Sequence, residues 1–156
     1  MIVQNGLVAL PGEEDFLRLD LRVRGGRVAE IAPRLEAEAG EETVDASGLL
    51  VLPGAIDPHV HFDEPGFTHR EDFRHGTAEA AKGGVTTVID MPCTSLPPVT
   101  TLAALEGKLA AVSPSALVDY AFYGGVSGHA AEASLGSGGS GGAMAELAPK
   151  VVGFKC

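Results

Sequence analysis

At 156 residues the chain suits one domain of ordinary size or parts of two, and 45% hydrophobic with 21% charged residues is the composition of a packed protein, not of a disordered tail. A formal net charge of −10, from 21 acidic against 11 basic residues, argues against a nucleic-acid or anionic-membrane surface. No apolar run approaches the roughly 18 residues that cross a bilayer, the opening MIVQNGLVAL lacks a signal-peptide pattern, and the two cysteines, Cys93 and Cys156, are too few for a disulfide framework. The expectation is a soluble, cytoplasmic, enzyme-like protein without nucleic-acid or membrane partners.

The first fifty residues read as a small β-rich lobe, residues 1–52. Met1–Ala9 and Leu17–Val23 are short apolar or alternating stretches separated by the turn-like Pro11-Gly12-Glu13-Glu14-Asp15. Arg24-Gly25-Gly26-Arg27 reads as a hairpin turn into Val28–Ile31. The one hint of helix lies around Leu35–Ala39. Ten of the 21 acids precede Pro53, against five arginines, so the lobe presents an acidic, solvated face.

From Leu49 the rhythm changes. Leu49–Ile56 is a nearly continuous apolar run, the pattern of a strand buried on both faces, and it leads into Asp57-Pro58-His59-Val60-His61-Phe62. Asp72–Lys82 has helical character and stops at Gly83-Gly84. Val85–Met91 is a second β-branched strand. Leu102, Leu105, Leu109 and Val112 fall at helical spacing, ended by Ser113-Pro114. Leu117–Tyr123 is a third strand, and a Gly/Ser-rich passage (Ser134–Gly142) precedes helix around Met144–Leu147. Val151–Lys155 is a fourth strand.

Repeated βα units imply a parallel sheet with outer helices. The first βα loop has no G-x-G-x-x-G, which removes the main argument for a dinucleotide-binding sheet. Polar residues (His59, His61, Asp90, Lys155) gather instead at the carboxyl ends of strands, where an α/β barrel keeps its active site. A complete eight-stranded barrel takes roughly 250 residues, so residues 53–156, with four predicted strands, read as an incomplete (β/α)8 barrel of about four βα units.

In a strand, residues i and i+2 point the same way, so His59 and His61 project together and could chelate one divalent ion, for which zinc is a good match. Taken alone, an H-x-H pair reads first as ordinary surface or packed histidines; here it follows a buried apolar strand with Asp57 two residues upstream and precedes the Glu64-Pro65-Gly66 loop, a context that favours the metal reading. Lys155 ends the fourth strand between Phe154 and Cys156. A lysine in a barrel mouth needs a chemical reason; carbamylation by CO₂ is one, and a side chain reaching solvent is the other reading.

The segments PGAIDPHVHFDEPGFTHREDFRHGTAEAAKGGVTTVIDMPCTSLPPVT, DYAFYGGV and VGFKC resemble the cyclic amidohydrolases: allantoinases, dihydroorotases and hydantoinases/dihydropyrimidinases. The likeness runs along nearly the whole chain, the opening lobe resembling part of that family's β-sandwich domain. It implies that His59 and His61 bind the more buried of two metal ions, with zinc the expected identity, and that carboxylated Lys155 bridges both. Dihydroorotases usually place an arginine and an asparagine where this chain has Asp63 and Cys93, neither suited to a substrate carboxylate. The F-x-E-P-G loop, D-M-P…S-x-P-P passage and terminal G-F-K-C match allantoinases best. Asp63, Cys93 and Thr94 are then candidate substrate contacts. Asp90 could orient a metal ligand through a hydrogen bond, an ordinary loop hydrogen bond being the alternative. His69, His75 and His129 read as surface residues, and Cys156 as a small apolar filler.

The resemblance further implies two histidines and a catalytic aspartate from later strands, none of which occurs here. The expectation is a truncated form of a homo-oligomeric enzyme that opens a small cyclic ureide or amide ring. Alone it would bind at most one metal ion weakly, and it would lack turnover. A non-catalytic assembly protein on the same fold is the alternative of another class.

Overall fold

The computed structural model describes residues 1–126 and 142–156, so His129 and most of the Gly/Ser-rich passage lie outside the described residues. The chain divides into two compact units, Met1–Pro53 and Gly54–Cys156.

The first unit is a five-stranded sheet: β1 (Ile2–Val8), β2 (Leu17–Arg24), β3 (Arg27–Ala32), β4 (Thr43–Asp45) and β5 (Leu50–Val51), in the order β3-β2-β1-β4, with β5 also on β1. The β2–β3 hairpin turns through Gly25 (φ 56°) and Gly26 (φ 72°), the left-handed pair that lets a two-residue turn follow the strand twist. Asn5 takes a positive φ of 65° where the β1–β2 register slips, and its N–H donates to buried Asp20 Oδ1 at 2.7 Å. The hint of helix at Leu35–Ala39 is overturned: the segment is irregular and Leu35 is buried. Its N–H donates to Asp20 Oδ2 (2.9 Å) and its carbonyl accepts from Gln4 Nε2 (2.7 Å), so side chains of the sheet take the groups a helix would use. Inside the acidic lobe Arg22 is buried, its Nε 3.0 Å from Glu41 Oε1 and its Nη1 2.7 Å from Glu30 Oε2. Arg22 holds the Glu41 carboxyl below its ordinary range.

The apolar run Leu49–Ile56 is two strands. Leu50–Val51 pairs with β1 in the first unit, and β6 (Ala55–Val60) opens the second. Nor is it buried on both faces: Leu50 is 55% exposed, and Ile56 is 64% exposed on β6, which has β7 alone as a neighbour among the described residues.

The second unit follows as α1 (Phe73–Lys82), β7 (Val85–Asp90), α2 (Leu102–Val112), β8 (Asp119–Phe122), β9 (Gly124–Gly125), α3 (Gly142–Leu147), a 3₁₀ turn at Ala148–Lys150 and β10 (Phe154–Lys155). Strands β6-β7-β8 form a parallel sheet, and β10 pairs in parallel with β9, which continues β8 after Tyr123. The fourth strand is thus shorter than Val151–Lys155, since Pro149 and the 3₁₀ turn shape its approach. Asp72 and Thr101 cap the two long helices by accepting the His75 and Ala104 N–H groups. The core gathers Phe62, Phe73, Val88, Val99, Leu105, Val112, Phe122 and Leu147. On α2 the sequence stripe is corrected at one position: Leu109 is 37% exposed while Lys108, one turn from Leu105 and Val112, is buried.

Two stability tests follow. A Cβ on Gly76 would stand 2.6 Å from Phe62 Cδ1, so Gly76→Ala overpacks the α1 contact and is expected to lower denaturant-measured stability by about 1–3 kcal/mol. The depressed Glu41 carboxyl contributes stability that is present above the ordinary carboxylate range and is lost as pH falls through the folded value. Glu41→Gln is therefore expected to lower the melting temperature at neutral pH and to flatten its acid-side decline.

Candidate metal centre

Backbone pairing fixes the end of β6. Met91 N–H donates to Val60 O (3.0 Å) and Phe62 N–H to Asp90 Oδ1 (2.9 Å), so both peptide groups flanking His61 are anchored to residues 90 and 91. Pro58 interrupts the ladder, and Asp57 Oδ1 accepts the His59 N–H at 3.1 Å instead. The two imidazoles stack with centroids 5.3 Å apart at 20°, and their Nε2 atoms are 3.3 Å apart. From the far end of the unit, Lys155 Nζ comes within 3.0 Å of His59 Nε2 across 96 residues of sequence. Its backbone is held in the same manner: Gly124 N–H donates to Gly153 O and Val126 N–H to Lys155 O, both at 2.9 Å.

Three nitrogen side chains therefore meet at one point. Zn–N bonds of about 2.0–2.1 Å at tetrahedral angles set ligand nitrogens about 3.3–3.4 Å apart, the separation of the two Nε2 atoms. By donor type and spacing the imidazole pair fits a divalent cation. No cluster of three or more His, Cys, Asp or Glu side chains stands ready to hold an ion among the described residues; the third group here is an amine.

The other candidates are differently placed. Asp63 is buried, with Oδ2 3.3 Å from Arg70 Nε. Thr94 is buried too, its hydroxyl donating to Met91 O at 2.8 Å and lying 3.3 Å from both Asp90 oxygens. Cys93 is exposed and lines a cavity of about 210 Å³ with Pro92, Thr100, Gly125, Lys155 and Cys156. That corrects the reading of Cys156 as an apolar filler: strand pairing ends at Lys155, so its thiol is exposed on the wall that Lys155 shares. A larger hollow of about 480 Å³ lies at the opposite end of β8, between Ser113 and Tyr120. His69 and His75 are exposed, and Glu71 Oε1, 2.8 Å from His75 Nδ1, raises the affinity of that imidazole for its proton.

Asp90 is fully buried. Oδ1 takes the Phe62 N–H and Oδ2 stands 2.5 Å from Lys108 Nζ; burial pushes the carboxyl up and Lys108 opposes that shift. Lys108 was not among the sequence candidates. Its spacing from Leu105 and Val112, three and four residues, was the signal that it shares their face.

The amidohydrolase family model matches residues 50–135. An allantoinase from Rubrobacter xylanophilus is 47% identical over 126 residues, and one from Escherichia coli is 41% identical over the same length; each alignment takes in 81% of this chain and 27% of the relative. An L-hydantoinase (dihydropyrimidinase) from Arthrobacter aurescens superposes with a TM-score of 0.82 at 32% identity, covering 98% of this chain and 32% of that one. A D-hydantoinase (dihydropyrimidinase) from Thermus sp. gives 0.68 at 30% identity over 81% of this chain and 27% of its own. The chain belongs to the amidohydrolase family, and it spans about a quarter of the length of the curated relatives it matches. Among the described residues no helix is long and apolar enough to cross a membrane.

Proposed function

We propose that His59, His61 and Lys155 form the metal-holding part of a hydrolase that opens the ring of a cyclic amide, with an allantoin-like ureide the favoured substrate. The observation that carries this reading is the meeting of Lys155 Nζ with the His59/His61 pair, within 3.0 Å, from opposite ends of the second unit. In the same reading, the second unit supplies the opening βα units of a (β/α)8 barrel and the first unit is part of a β-sandwich domain.

The amidohydrolase family is in general metal-dependent. When bound, a pair of divalent ions would polarise the amide carbonyl and lower the pKa of water towards about 7. The chain's own residues have four tasks. His59 and His61 would offer their ring nitrogens, the backbone of the first held by the Asp57 contact and that of the second by the flanking Val60 and Phe62 hydrogen bonds. Lys155, as a free amine, would add to the carbon of CO₂: one N–C bond forms as one C=O π bond opens, the nitrogen's proton passes to water, and the product is an anionic carbamate whose oxygens could serve as ligands. Cys93 borders the cavity where a substrate ring would lie. Asp63, neutralised by Arg70, does not compete for a cation.

Substrate preference rests on relatives and charge. The allantoinases share 40–47% identity and the hydantoinases 29–33%, which supports reading an allantoin-like ring ahead of a hydantoin. The 0.82 superposition keeps a hydantoin or dihydropyrimidine as the second reading. Dihydroorotate ranks lower, because Asp63 and Cys93 offer its carboxylate no cation. The homo-oligomer implied by the family belongs to this reading as well.

Zinc or cobalt titration of the purified chain, followed by metal analysis, tests the centre. About one weakly held equivalent is expected, lost on His59→Ala or His61→Ala, with no ring opening by the 156-residue polypeptide alone. No metal uptake at all would favour the non-catalytic assembly reading. A hydrolysis screen on a full-length protein that carries this segment, offering allantoin, hydantoin, dihydrouracil and dihydroorotate, assigns the substrate.

A further inference from the structure

Lys108 is a cation that neither the fold nor the proposed chemistry uses. It is 1% exposed on the core face of α2, its Nζ 5.7 Å from the Phe73 ring centroid and 5.4 Å from that of Phe122. Its polar contact among the described residues is Asp90 Oδ2 at 2.5 Å. A buried ion pair of this kind is a poor device for stability, since apolar residues of similar volume commonly serve as well or better. Its other connections supply a reason for it. Asp90 Oδ1 receives the Phe62 N–H, the backbone of Asp90 accepts from Tyr123 N–H at 3.0 Å, and Met91 N–H closes on Val60 O. The carboxylate thus sits where the histidine-bearing end of β6, the end of β8 and helix α2 converge, and it is the side-chain acceptor next to His61.

We propose that the Lys108–Asp90 pair is a positioning device for the histidine pair: Lys108 fixes and neutralises Asp90, whose free oxygen holds the Phe62 N–H and with it the backbone of His61. The proposal rests on the reading of His59 and His61 as metal ligands, and it goes beyond that reading by giving Asp90 a route to His61 through the Phe62 N–H and by assigning Lys108, a residue that touches no ion, as its anchor.

Two double variants that leave no lone buried charge test it. Lys108→Met with Asp90→Asn keeps an oxygen acceptor for the Phe62 N–H, whereas Lys108→Met with Asp90→Leu has nearly the same volume and no acceptor. Cobalt affinity of the first is expected to stay within about threefold of wild type, and that of the second to fall by about 10–100-fold, the usual cost of losing a group that orients a metal ligand. Equal affinity in the two variants overturns the proposal. Hydrogen exchange in the metal-free protein separates this from failure of the metal reading. Phe62 amide protection should survive in the Asn variant and drop at least tenfold in the Leu variant, while the Val112 amide changes by less than twofold between them. Matching Phe62 protection overturns the positioning role even if wild type binds no cobalt.

Discussion

The register of the parallel strands in the second unit is the constraint from which the site follows. Val60 pairs with Asp90 and Asp90 with Phe122, and the ladder passes through Tyr123 to Gly124 and Gly125, which pair with Phe154 and Lys155. Side chains leave a strand at fixed alternating angles, so a slip of one residue in any of these pairings would send His61 or Lys155 to the opposite face. The nitrogens meet because backbone hydrogen bonds determine where each side chain starts. Close approach also needs small residues where the layers touch. A Cβ on Gly124 would stand 2.7 Å from the Phe154 ring, and one on Gly125 3.2 Å from Pro92 and Thr100, so both glycines let β10 and the loop after β7 close on the same edge.

How much of this was legible in the sequence depends on the range of the interaction. Local signals were read well. The Gly25-Gly26 turn and the Gly83-Gly84 stop each rest on residues within one turn of chain. The H-x-H spacing put both imidazoles on one side because strand alternation is local. Apolarity without a partner misled: Leu49–Ile56 reads as one strand, yet its first half pairs with β1 and its second with β7, a division that depends on segments distant in sequence. Leu35–Ala39 failed for the same reason, since the groups that hold it belong to Gln4, Asp20 and Arg22. The approach of Lys155 to His59 was suggested by family resemblance, and no periodicity of this chain contains it.

The two units place acids and bases inside themselves in different ways. Arg22 spreads its N–H groups over Glu41, Glu30 and the Glu36 carbonyl, so the guanidinium is well satisfied whether the carboxylate beside it is buried, as in Glu41, or half exposed, as in Glu30. Lys108 has a point charge and one partner, with aromatic rings against its remaining surface. The first arrangement tolerates small shifts because several bonds share the charge. The second is sensitive to geometry: Asp90 has one oxygen for the ammonium and one for the Phe62 N–H, and losing either contact leaves a buried charge or a buried N–H without a partner.

The charges around the nitrogen cluster constrain what state of Lys155 is compatible with a bound ion. The aspartates in and just after β6 and at the end of β7 have partners of their own, Asp57 the His59 N–H, Asp63 Arg70 and Asp90 Lys108. Lys155 Nζ stands 3.0 Å from His59 Nε2, and in the proposed reading that nitrogen is one a metal would need. Two unit charges 4 Å apart repel by about 4 kcal/mol at an effective dielectric of 20, and a divalent ion doubles the charge product. A cationic lysine and a cation on the imidazoles thus exclude each other, by competition for one nitrogen and by repulsion. Conversion of the amine to a carbamate removes both obstacles, because the positive charge disappears and the new oxygens are themselves ligands. On this argument, under the proposed reading, the ion and the modified lysine are thermodynamically linked: whatever favours one favours the other.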